Sequence, residues 1–441
     1  MMNIGRKIHD FRKSKLLKGS AGFFVMKIGA MFFGYVNVWV ISRFFGSEAL
    51  GLFSFVLSVL TFGAVFAKLG VDMAVVRFVS QFLTQNKAGK IIAFYAKVCK
   101  LVSLPVLLFS VLLFFGSSFM AEHIFEKAHY DYYLKLAGLL IIPIAYTQIN
   151  AQLHRGFKKI IHFAFFDLYA TFFTLLVLIA IVLFTDDFAR HIPVSVHALS
   201  IFFLFLLSTV FVFFLLRKHK QNTSEIVSYK EIMKVSFPMY HIAIAGIVIN
   251  WADKLIMGAY VPDSEIGIYH AMSRIAVFLS IFLLSGNAVL APHFSQLWEQ
   301  GDMNGISDLV KRATRLLTAV TLPIFVLIIV FAEPIAGFFG SDFIAGTQVL
   351  IILAIGQFVN VWTGPVGIFL LMTGHERFNR NVSWISVLVF LIAAYMGIRF
   401  WGITGGAGAV SLIYVMRNMF YVIYVKRKFN INFLYIPFIR K

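Results

Sequence analysis

The sequence predicts an all-α polytopic membrane protein with about twelve transmembrane helices, in two six-helix lobes that are related as a parallel repeat. Three observations predict this fold class. The chain of 441 residues is 60% hydrophobic and only 13% charged, which is far from the balance of a soluble domain. Its apolar residues fall into runs of roughly 20, the length that crosses a bilayer as a helix. A constant shift of 216 residues also aligns the second half on the first.

Twelve apolar runs are long enough to be transmembrane helices. In chain order they lie near residues 20–44, 50–69, 94–116, 134–153, 160–184, 196–216, 235–260, 267–291, 312–331, 345–371, 380–398 and 404–425. The longest polar connection is the linker 217–234, so no folded domain is predicted outside the membrane. We therefore divide the chain into an N-terminal lobe (1–216), a cytoplasmic linker (217–234) and a C-terminal lobe (235–441).

The distribution of lysine and arginine predicts the orientation. The net charge of +19 comes from bases in alternate short loops, for example Lys158 and Lys159, whereas the loops between them are poorer in bases and often acidic. Because basic loops favour the cytoplasm and the helix number is even, both termini are predicted to be cytoplasmic. The bases form no continuous face and no known nucleic-acid module, so nucleic acid is not an expected partner.

The repeat is visible around the second and eighth predicted spans. A shift of 216 residues pairs Gly51 with Gly267 and, without gaps, Asn37 with Asp253. Six helices separate the two copies, so both run in the same direction through the membrane, as in the halves of some secondary transporters.

Charged residues inside the spans are the first candidates for a functional site, because each costs roughly 2.5–3.5 kcal/mol on insertion scales. Asp253, Lys254 and Arg274 lie in the seventh and eighth spans, and Asp253 and Arg274 are both about 10 Å from the connecting turn at ~1.5 Å per residue. One interpretation is a structural salt bridge between Asp253 and Arg274. The other places Lys254 or Arg274 in an aqueous cleft, with Asp253 holding a base in position.

The first lobe has its own candidates. Lys27 lies in the first span, where it either snorkels to the headgroups or faces a cavity as a cation. Asp72 and Arg77 follow the second span, where headgroup contact or a bridge between them is the plainer explanation. Asn37 and Asn250 either line a cavity or bridge helices. We expect His154, His241 and His270 to be hydrogen-bonded packing residues, with a proton relay as the alternative.

The sequence predicts neither a metal site nor a cofactor. Cys99 is the only cysteine, and the histidines lack the spacing of metal ligands. No P-loop is present.

Several stretches resemble the polysaccharide or O-antigen flippases, the Wzx-type family of the MOP exporter superfamily, which includes MATE-like proteins. The first is Arg-Phe-Phe-Gly-Ser-Glu-Ala-Leu-Gly-Leu-Phe at 43–53. The others lie at 68–71, 76–79, 253–258, 265–271, 291–295, 339–343 and 374–377. Lys68 stands where the family usually has an acid.

The resemblance implies a MATE-like fold whose lobes flank a cleft that opens alternately to each side of the membrane. The implied substrate is an oligosaccharide on a polyprenyl pyrophosphate carrier, moved from the cytoplasmic to the outer leaflet of a bacterial inner membrane for lipopolysaccharide or other surface polysaccharide. The cations suited to the pyrophosphate are Lys27, Arg77, Lys254 and Arg274, supported by Asp253, Asp72, Asn37 and Asn250. Membrane lipids and other polysaccharide-assembly proteins are the implied partners, and no enzymatic activity is expected.

Three alternatives stay open. A MATE-like ion-coupled drug antiporter would favour an acid in the first-lobe cavity, whereas the first span carries Lys27 and no acid. A membrane polysaccharide polymerase or ligase usually presents a large outer loop, and no loop here is long enough. A scaffold that recruits glycosyltransferases through its basic loops is a possible secondary role.

Overall fold

The computed structural model describes residues 15–185, 188–219 and 227–434, with side chains from residue 25 onward. All regular secondary structure in these residues is helical. The principal helices of the first half are α1 (Lys15–Val40), α2 (Gly46–Lys68), α3 (Val71–Thr84), α4 (Lys90–Phe115), α5 (Tyr130–Gly156), α6 (Ile160–Leu168), α7 (Ala170–Phe184) and α8 (Ile192–Arg217). Those of the second half are α9 (Tyr229–Tyr260), α10 (Asp263–Val277), α11 (Ser280–Glu299), α12 (Met303–Val330), α13 (Thr347–Trp362), α14 (Val366–Met372) and α15 (Glu376–Phe429).

The described helices agree with the predicted number of spans. Eight continuous helical stretches are long and apolar enough to cross a membrane, and two bent pairs, α6 with α7 and α10 with α11, raise the number to ten. The continuous stretch Val25–Lys68 and the helix α15 are 44 and 54 residues long, about twice the length that one crossing needs. Dividing both at the breaks described next gives the twelve predicted spans.

The long helix α15 reverses direction at Gly402. The backbone there is non-helical, with φ 56° and ψ −138°. A Cβ on Gly405 would lie only 1.9 Å from the carbonyl oxygen of Gly397, although eight residues of straight helix would separate the two by about 12 Å. The two segments of α15 therefore turn back on each other, and small residues permit the close approach.

A second reversal separates α1 from α2. The π-helical turn Ile41–Phe45 leads into Gly46, whose φ is +85°. Phe45 contacts Phe188, just beyond the end of α7, and Phe55 stacks on Tyr130 at the start of α5. Because α5 and α7 run in opposite directions, these two contacts lie on the same side of the helices. Thus α1 arrives at this side and α2 leaves from it.

The chain divides into two compact units. Unit 1 comprises Met1–Phe45 and Phe55–Ile247, and unit 2 comprises Gly46–Ser54 and Val248–Lys441. The predicted lobes, with their boundary at 217–234, stay a prediction. Part of that linker, residues 220–226, lies outside the described residues, as do the terminal residues 1–14 and 435–441 on which the predicted orientation partly rests.

Within unit 2, the start of α2 crosses α10 at two glycines. A Cβ on Gly51 would lie 1.7 Å from the carbonyl oxygen of Asp263, and a Cβ on Gly267 would lie 2.0 Å from that of Ser47. Only glycine permits two helix backbones to approach this closely. One turn further along, Ser54 hydrogen-bonds to His270 over 2.9 Å. The 216-residue shift predicted from the sequence relates Gly51 to Gly267, Ser47 to Asp263 and Ser54 to His270. Each of these contacts therefore joins residues that correspond in the two copies of the repeat, or has a matching contact in the other copy.

Apolar clusters hold each unit together internally. In unit 2, a buried cluster joins α11, α12, α14 and α15 and includes Phe294, Val310, Phe369 and Tyr421. In unit 1, a smaller cluster around Phe166 joins α5, α6 and α8. Large apolar side chains that stay exposed on α4 and α8 have the character of lipid-facing surface.

The turn between α14 and α15 contains a histidine that accepts a hydrogen bond from a lysine. Lys428 Nζ lies 2.8 Å from His375 Nε2, and His375 Nδ1 lies 3.1 Å from the hydroxyl of Thr373. This arrangement requires a neutral ring protonated on Nδ1. Burial, followed by the Lys428 ammonium, lowers the pKa of His375 below its usual value.

A lowered pKa in the folded protein makes stability depend on pH. The contribution of His375 is fully present above the unfolded pKa of about 6.5 and is lost as the pH falls below that value through the lower folded pKa. We expect the apparent Tm in detergent to fall over this window by less for His375→Gln than for the wild type. Lys428→Gln should also reduce the dependence, whereas Lys426→Gln, at an exposed neighbour, should retain it. Superimposable profiles for His375→Gln and the wild type would contradict the assignment.

Candidate functional site

The most deeply buried charges of the described chain form a small cluster in unit 2. Asp253 and Lys254 are only 2% and 5% exposed. Lys254 Nζ donates to both carboxylate oxygens of Asp253 at 3.2 Å, and the hydroxyl of Tyr269 donates to Asp253 Oδ2 at 2.6 Å. The carboxylate therefore has three hydrogen-bond contacts from two side chains, which compensates part of the cost of burying it.

The local sequence explains how two consecutive residues pair inside a helix. Consecutive side chains point about 100° apart on a helix, so the lysine needs its long flexible stem to return to its neighbour. The rings of Trp251 and Tyr269 flank the ammonium at 5.4 and 5.2 Å, within cation–π range. The charge of Lys254 is thus held by an acid and two aromatic faces.

Arg274 and His270 lie beside this cluster on α10. Lys254 and His270 are both within electrostatic range of Arg274, whose side chain is half-buried. His270 is bonded through Nδ1 to Ser54, so the expected hydrogen bond is present, whereas the choice between a packing residue and a proton relay stays a prediction. The predicted salt bridge between Asp253 and Arg274 stays a prediction, as does any direct role of Asn250, which is exposed.

Unit 1 has a second group of charges near the junction of α2 and α3. The helix breaks at Leu69 and Gly70, with φ of 52° and 72°, and Lys68 pairs with Asp72 across this break at 2.8 Å. A Cβ on Gly70 would lie 2.6 Å from the backbone oxygen of Ser236. The break beside this ion pair therefore packs closely on α9, which a glycine with positive φ permits.

The sequence suggested a bridge between Asp72 and Arg77, but the structure shows a different partner for Asp72. Asp72 pairs with Lys68, and Arg77 is exposed, without an ion pair to any described residue. Five helical positions separate Asp72 from Arg77, which turns their side chains about 140° apart. Lys68, four residues before Asp72, has the spacing at which side chains of one helix face meet.

Two further predicted residues of unit 1 lie on α1. Lys27 is half-buried and lies within electrostatic range of Asp167 on α6. Asn37 is buried, and its side-chain oxygen has no hydrogen-bond partner among the described residues. Buried polar atoms are normally paired, so Asn37 has capacity for one more hydrogen bond.

Sequence reasoning missed three participants. Tyr269 was noted only as part of a motif, although its hydroxyl bonds to Asp253. Lys68 was left out of the candidate site despite being buried. Arg417, in the last span, was overlooked. It is half-buried, lies over the ring of Tyr414 at 5.6 Å, and has an Nε atom that bonds to no described residue. The cost of intramembrane charge was the signal that could have revealed it.

The described residues contain no group of three or more histidine, cysteine, aspartate or glutamate side chains suited to a metal ion. The polar chemistry of these sites consists of ion pairs, hydrogen bonds and cation–π contacts. Such groups can bind an anion or order a helix pair.

Comparison with known proteins identifies the family. A model of the family described as "Polysaccharide biosynthesis protein" matches residues 40–345, more than half of the chain. The chain belongs to this polysaccharide biosynthesis family. The resemblance predicted from the sequence motifs is therefore confirmed.

Sequence comparison found two relatives of the chain. The chain is 25% identical over 216 residues to the "Probable low-salt glycan biosynthesis flippase Agl15" of Haloferax volcanii, and this alignment covers 49% of the chain and 44% of the relative. The match thus spans less than half of that flippase. An "Uncharacterized membrane protein" of Haemophilus influenzae is 22% identical over 411 residues, 91% of the chain and 92% of the relative.

Solved structures show the fold of the polysaccharide biosynthesis family member. The lipid II flippase MurJ, in an inward closed conformation, matches with a TM-score of 0.75 and 16% identity, covering 92% of the chain and 87% of MurJ. An inward-facing multidrug resistance MATE family transporter of the MOP superfamily matches with a TM-score of 0.72 and 12% identity, covering 91% and 94%. The predicted all-α, MATE-like membrane fold is confirmed.

Proposed function

We propose that the protein flips an oligosaccharide linked to polyprenyl pyrophosphate from the cytoplasmic to the outer leaflet by alternating access. Family membership and the MurJ-like fold support this proposal. The observation that carries it is the presence of two cations within apolar helices, Lys254 beside the buried acid Asp253 and Arg274 within electrostatic range of Lys254. Cations that a membrane protein retains at such cost are suited to a dense anion such as pyrophosphate.

The geometry suggests different roles for the two cations of unit 2. Lys254 is enclosed by Asp253, Trp251 and Tyr269, so we assign it to ordering the site. Arg274 is half-buried, less enclosed than Lys254, and a planar guanidinium can donate two parallel hydrogen bonds to a phosphate. We assign Arg274 to the pyrophosphate. Phosphate contacts of Lys27 and Arg77 in unit 1, and supporting roles of Asp72, Asn37 and Asn250, stay predictions.

The biological setting is part of the same proposal. We place the protein in a bacterial inner membrane, with both termini in the cytoplasm, in the synthesis of a surface polysaccharide such as O-antigen or lipopolysaccharide. Its partners would be the lipid-linked oligosaccharide, membrane lipids and other polysaccharide-assembly proteins. The activity is transport without enzymatic chemistry.

Liposomes that contain the purified protein and a fluorescent lipid-linked oligosaccharide provide the test. The protein should distribute the labelled lipid between both leaflets. The fraction of sugar that is accessible to an impermeant quencher should therefore rise faster than in protein-free liposomes. A rate equal to that of the protein-free liposomes would overturn the proposal. Ion-gradient-driven uptake of a cationic dye, without lipid flipping, would support the drug antiporter that the MATE fold also permits. Lengthening of the glycan would support a polymerase or ligase.

Arg274→Ala should slow flipping by roughly 10- to 100-fold, because a hydrogen bond to a charged group contributes about 1.5–3 kcal/mol. Arg274→Lys keeps the charge without the planar fork and should retain an intermediate rate. Arg399→Ala is the matched control, because Arg399 is an exposed arginine of unit 2 that bonds to Tyr395. Equal rates for Arg274→Ala and Arg399→Ala, at equal protein levels, would exclude a role for Arg274 in transport.

A further inference from the structure

A cavity of about 210 Å³ lies in unit 1, between the ends of α5 and α8 and the start of α6. Two imidazoles, two lysines and apolar side chains of α8 line it: His154, His162, Lys159, Lys218, Phe211 and Phe214. None of these described lining residues is acidic. None of the charged residues of the candidate functional site lines this cavity, which is called the His154 cavity below.

His154 gives the first indication of a ligand. Its side chain is 1% exposed, and neither ring nitrogen has a hydrogen-bond partner among the described residues. The ring packs between His162 and Phe166, with both centroid distances 5.4 Å. A neutral imidazole always has one N–H donor, and a buried donor normally has an acceptor. An acceptor inside the cavity would satisfy this requirement, so the expectation that His154 is already hydrogen-bonded within the protein was wrong.

The two lysines specify the charge of that acceptor. Lys159 lies in the turn after α5, where its backbone N–H donates to the carbonyl oxygen of His154 at 2.9 Å. The Lys159 ammonium is within electrostatic range of both imidazoles. Lys218 directly follows the end of α8 at Arg217. Neither ammonium forms an ion pair with a residue in the described part of the chain, so the cavity is suited to an anion.

The apolar side of the cavity indicates that the ligand is amphipathic. Phe211 and Phe214 are 40% and 55% exposed on α8, which is one of the membrane-spanning helices. We therefore expect these aromatic side chains to face acyl chains. The cationic part lies at the ends of apolar spans, where we expect lipid headgroups. Basic pockets between transmembrane helices are a recurrent binding place for anionic headgroups.

We propose that the His154 cavity binds the phosphate of an anionic phospholipid. The phosphate oxygens accept hydrogen bonds from His154 and His162 and pair with Lys159 and Lys218, while an acyl chain lies along Phe211 and Phe214. The site stabilises the connection between α5 and α6 and does not depend on the identity of the transported substrate.

The test compares full-length protein in nanodiscs of phosphatidylcholine alone with nanodiscs of phosphatidylcholine and phosphatidylglycerol. Native mass spectrometry counts the phosphatidylglycerol molecules that stay bound after the protein is released from the nanodisc. Lys159→Gln with Lys218→Gln should weaken retention by at least roughly tenfold, through the loss of charged hydrogen bonds. Lys158→Gln with Arg217→Gln is the matched control, because it removes two charges at neighbouring positions that do not line the cavity. Equal retention by the double variant, its control and the wild type would overturn the proposal.

A second variant guards against misfolding. His154→Phe keeps a ring between His162 and Phe166 but has no N–H, so it should fold and melt at a temperature no lower than the wild type in phosphatidylcholine. Phosphatidylglycerol should raise the apparent Tm of the wild type, as a ligand of the folded state does, and raise that of His154→Phe by much less. Titration with inorganic phosphate in detergent distinguishes the source. Binding of phosphate that phosphatidylglycerol does not displace would overturn the lipid assignment.

Discussion

Asp253→Leu should reduce the stability of the folded protein by about 3–5 kcal/mol, because it leaves the ammonium of Lys254 buried without its acid. The pair is 2% and 5% exposed, and Asp253 also accepts the hydroxyl of Tyr269, which would lose its acceptor. We expect a large fall in the apparent Tm in detergent and a smaller monodisperse peak in size-exclusion chromatography.

The double variant Asp253→Leu with Lys254→Met separates structure from function. Removal of both charges should restore most of the stability, because an apolar pair of similar volume is often as stable as a buried ion pair. If the double variant folds but flips slowly, the pair contributes to transport. If it flips at the wild-type rate, the pair is structural only.

The pair of Asp131 and Lys135 is the matched control for this experiment. Its ion-pair distance of 2.7 Å is shorter, but its side chains are 31% and 41% exposed. Asp131→Asn should therefore cost less than about 1 kcal/mol. If Asp253→Leu had the same apparent Tm as Asp131→Asn and the wild type, the burial of Lys254 would not depend on Asp253.

Gly267→Ala should lower stability by about 3 kcal/mol, at the upper end of the cost of overpacking. The added methyl group would lie 2.0 Å from the carbonyl oxygen of Ser47, so the backbones of α2 and α10 must separate. Gly51→Ala meets the same obstacle at 1.7 Å from Asp263. Thermal melts of the purified variants in detergent measure both effects.

Gly34→Ala and Gly408→Ala are the controls for the crossing. Both positions are helical and have nothing within 4 Å of an added Cβ. Each should be neutral or stabilising by up to about 1 kcal/mol, since alanine favours the helix over glycine. If Gly267→Ala has the same apparent Tm as these controls, the close approach of α2 and α10 does not contribute to stability.

The number of spans could be predicted because each lies in an apolar run whose length the bilayer dictates. The positions of the breaks were harder to predict. Gly402 interrupts α15 through its own backbone conformation, and the predicted last two spans fall on either side of it. Helix α3 was missed, since a helix of 14 residues is too short to be recognised as a span.

The candidate site was only partly predictable. The energetic cost of a charge inside the membrane was enough to identify Asp253, Lys254 and Arg274, because any charge within an apolar run is exceptional. The partners depend on side-chain direction and helix register, which spacing does not determine. The four-residue spacing of Lys68 and Asp72 could nevertheless have indicated their pairing, whereas Tyr269 reaches Asp253 from the neighbouring helix.

The crossing at Gly51 and Gly267 also bears on the origin of the chain. Ser47, Gly51 and Ser54 contact Asp263, Gly267 and His270, so each residue meets the counterpart, or a near neighbour of the counterpart, that it would have in an identical second chain. This reciprocity is the pattern of an isologous contact in a symmetric dimer. A single-repeat ancestor that paired with itself would have needed one glycine for both sides of the contact. In a chain formed by duplication and fusion of such an ancestor, the two glycines would be separate requirements, while positions away from the contact, such as Asn37 and Asp253, would be able to acquire different chemistry.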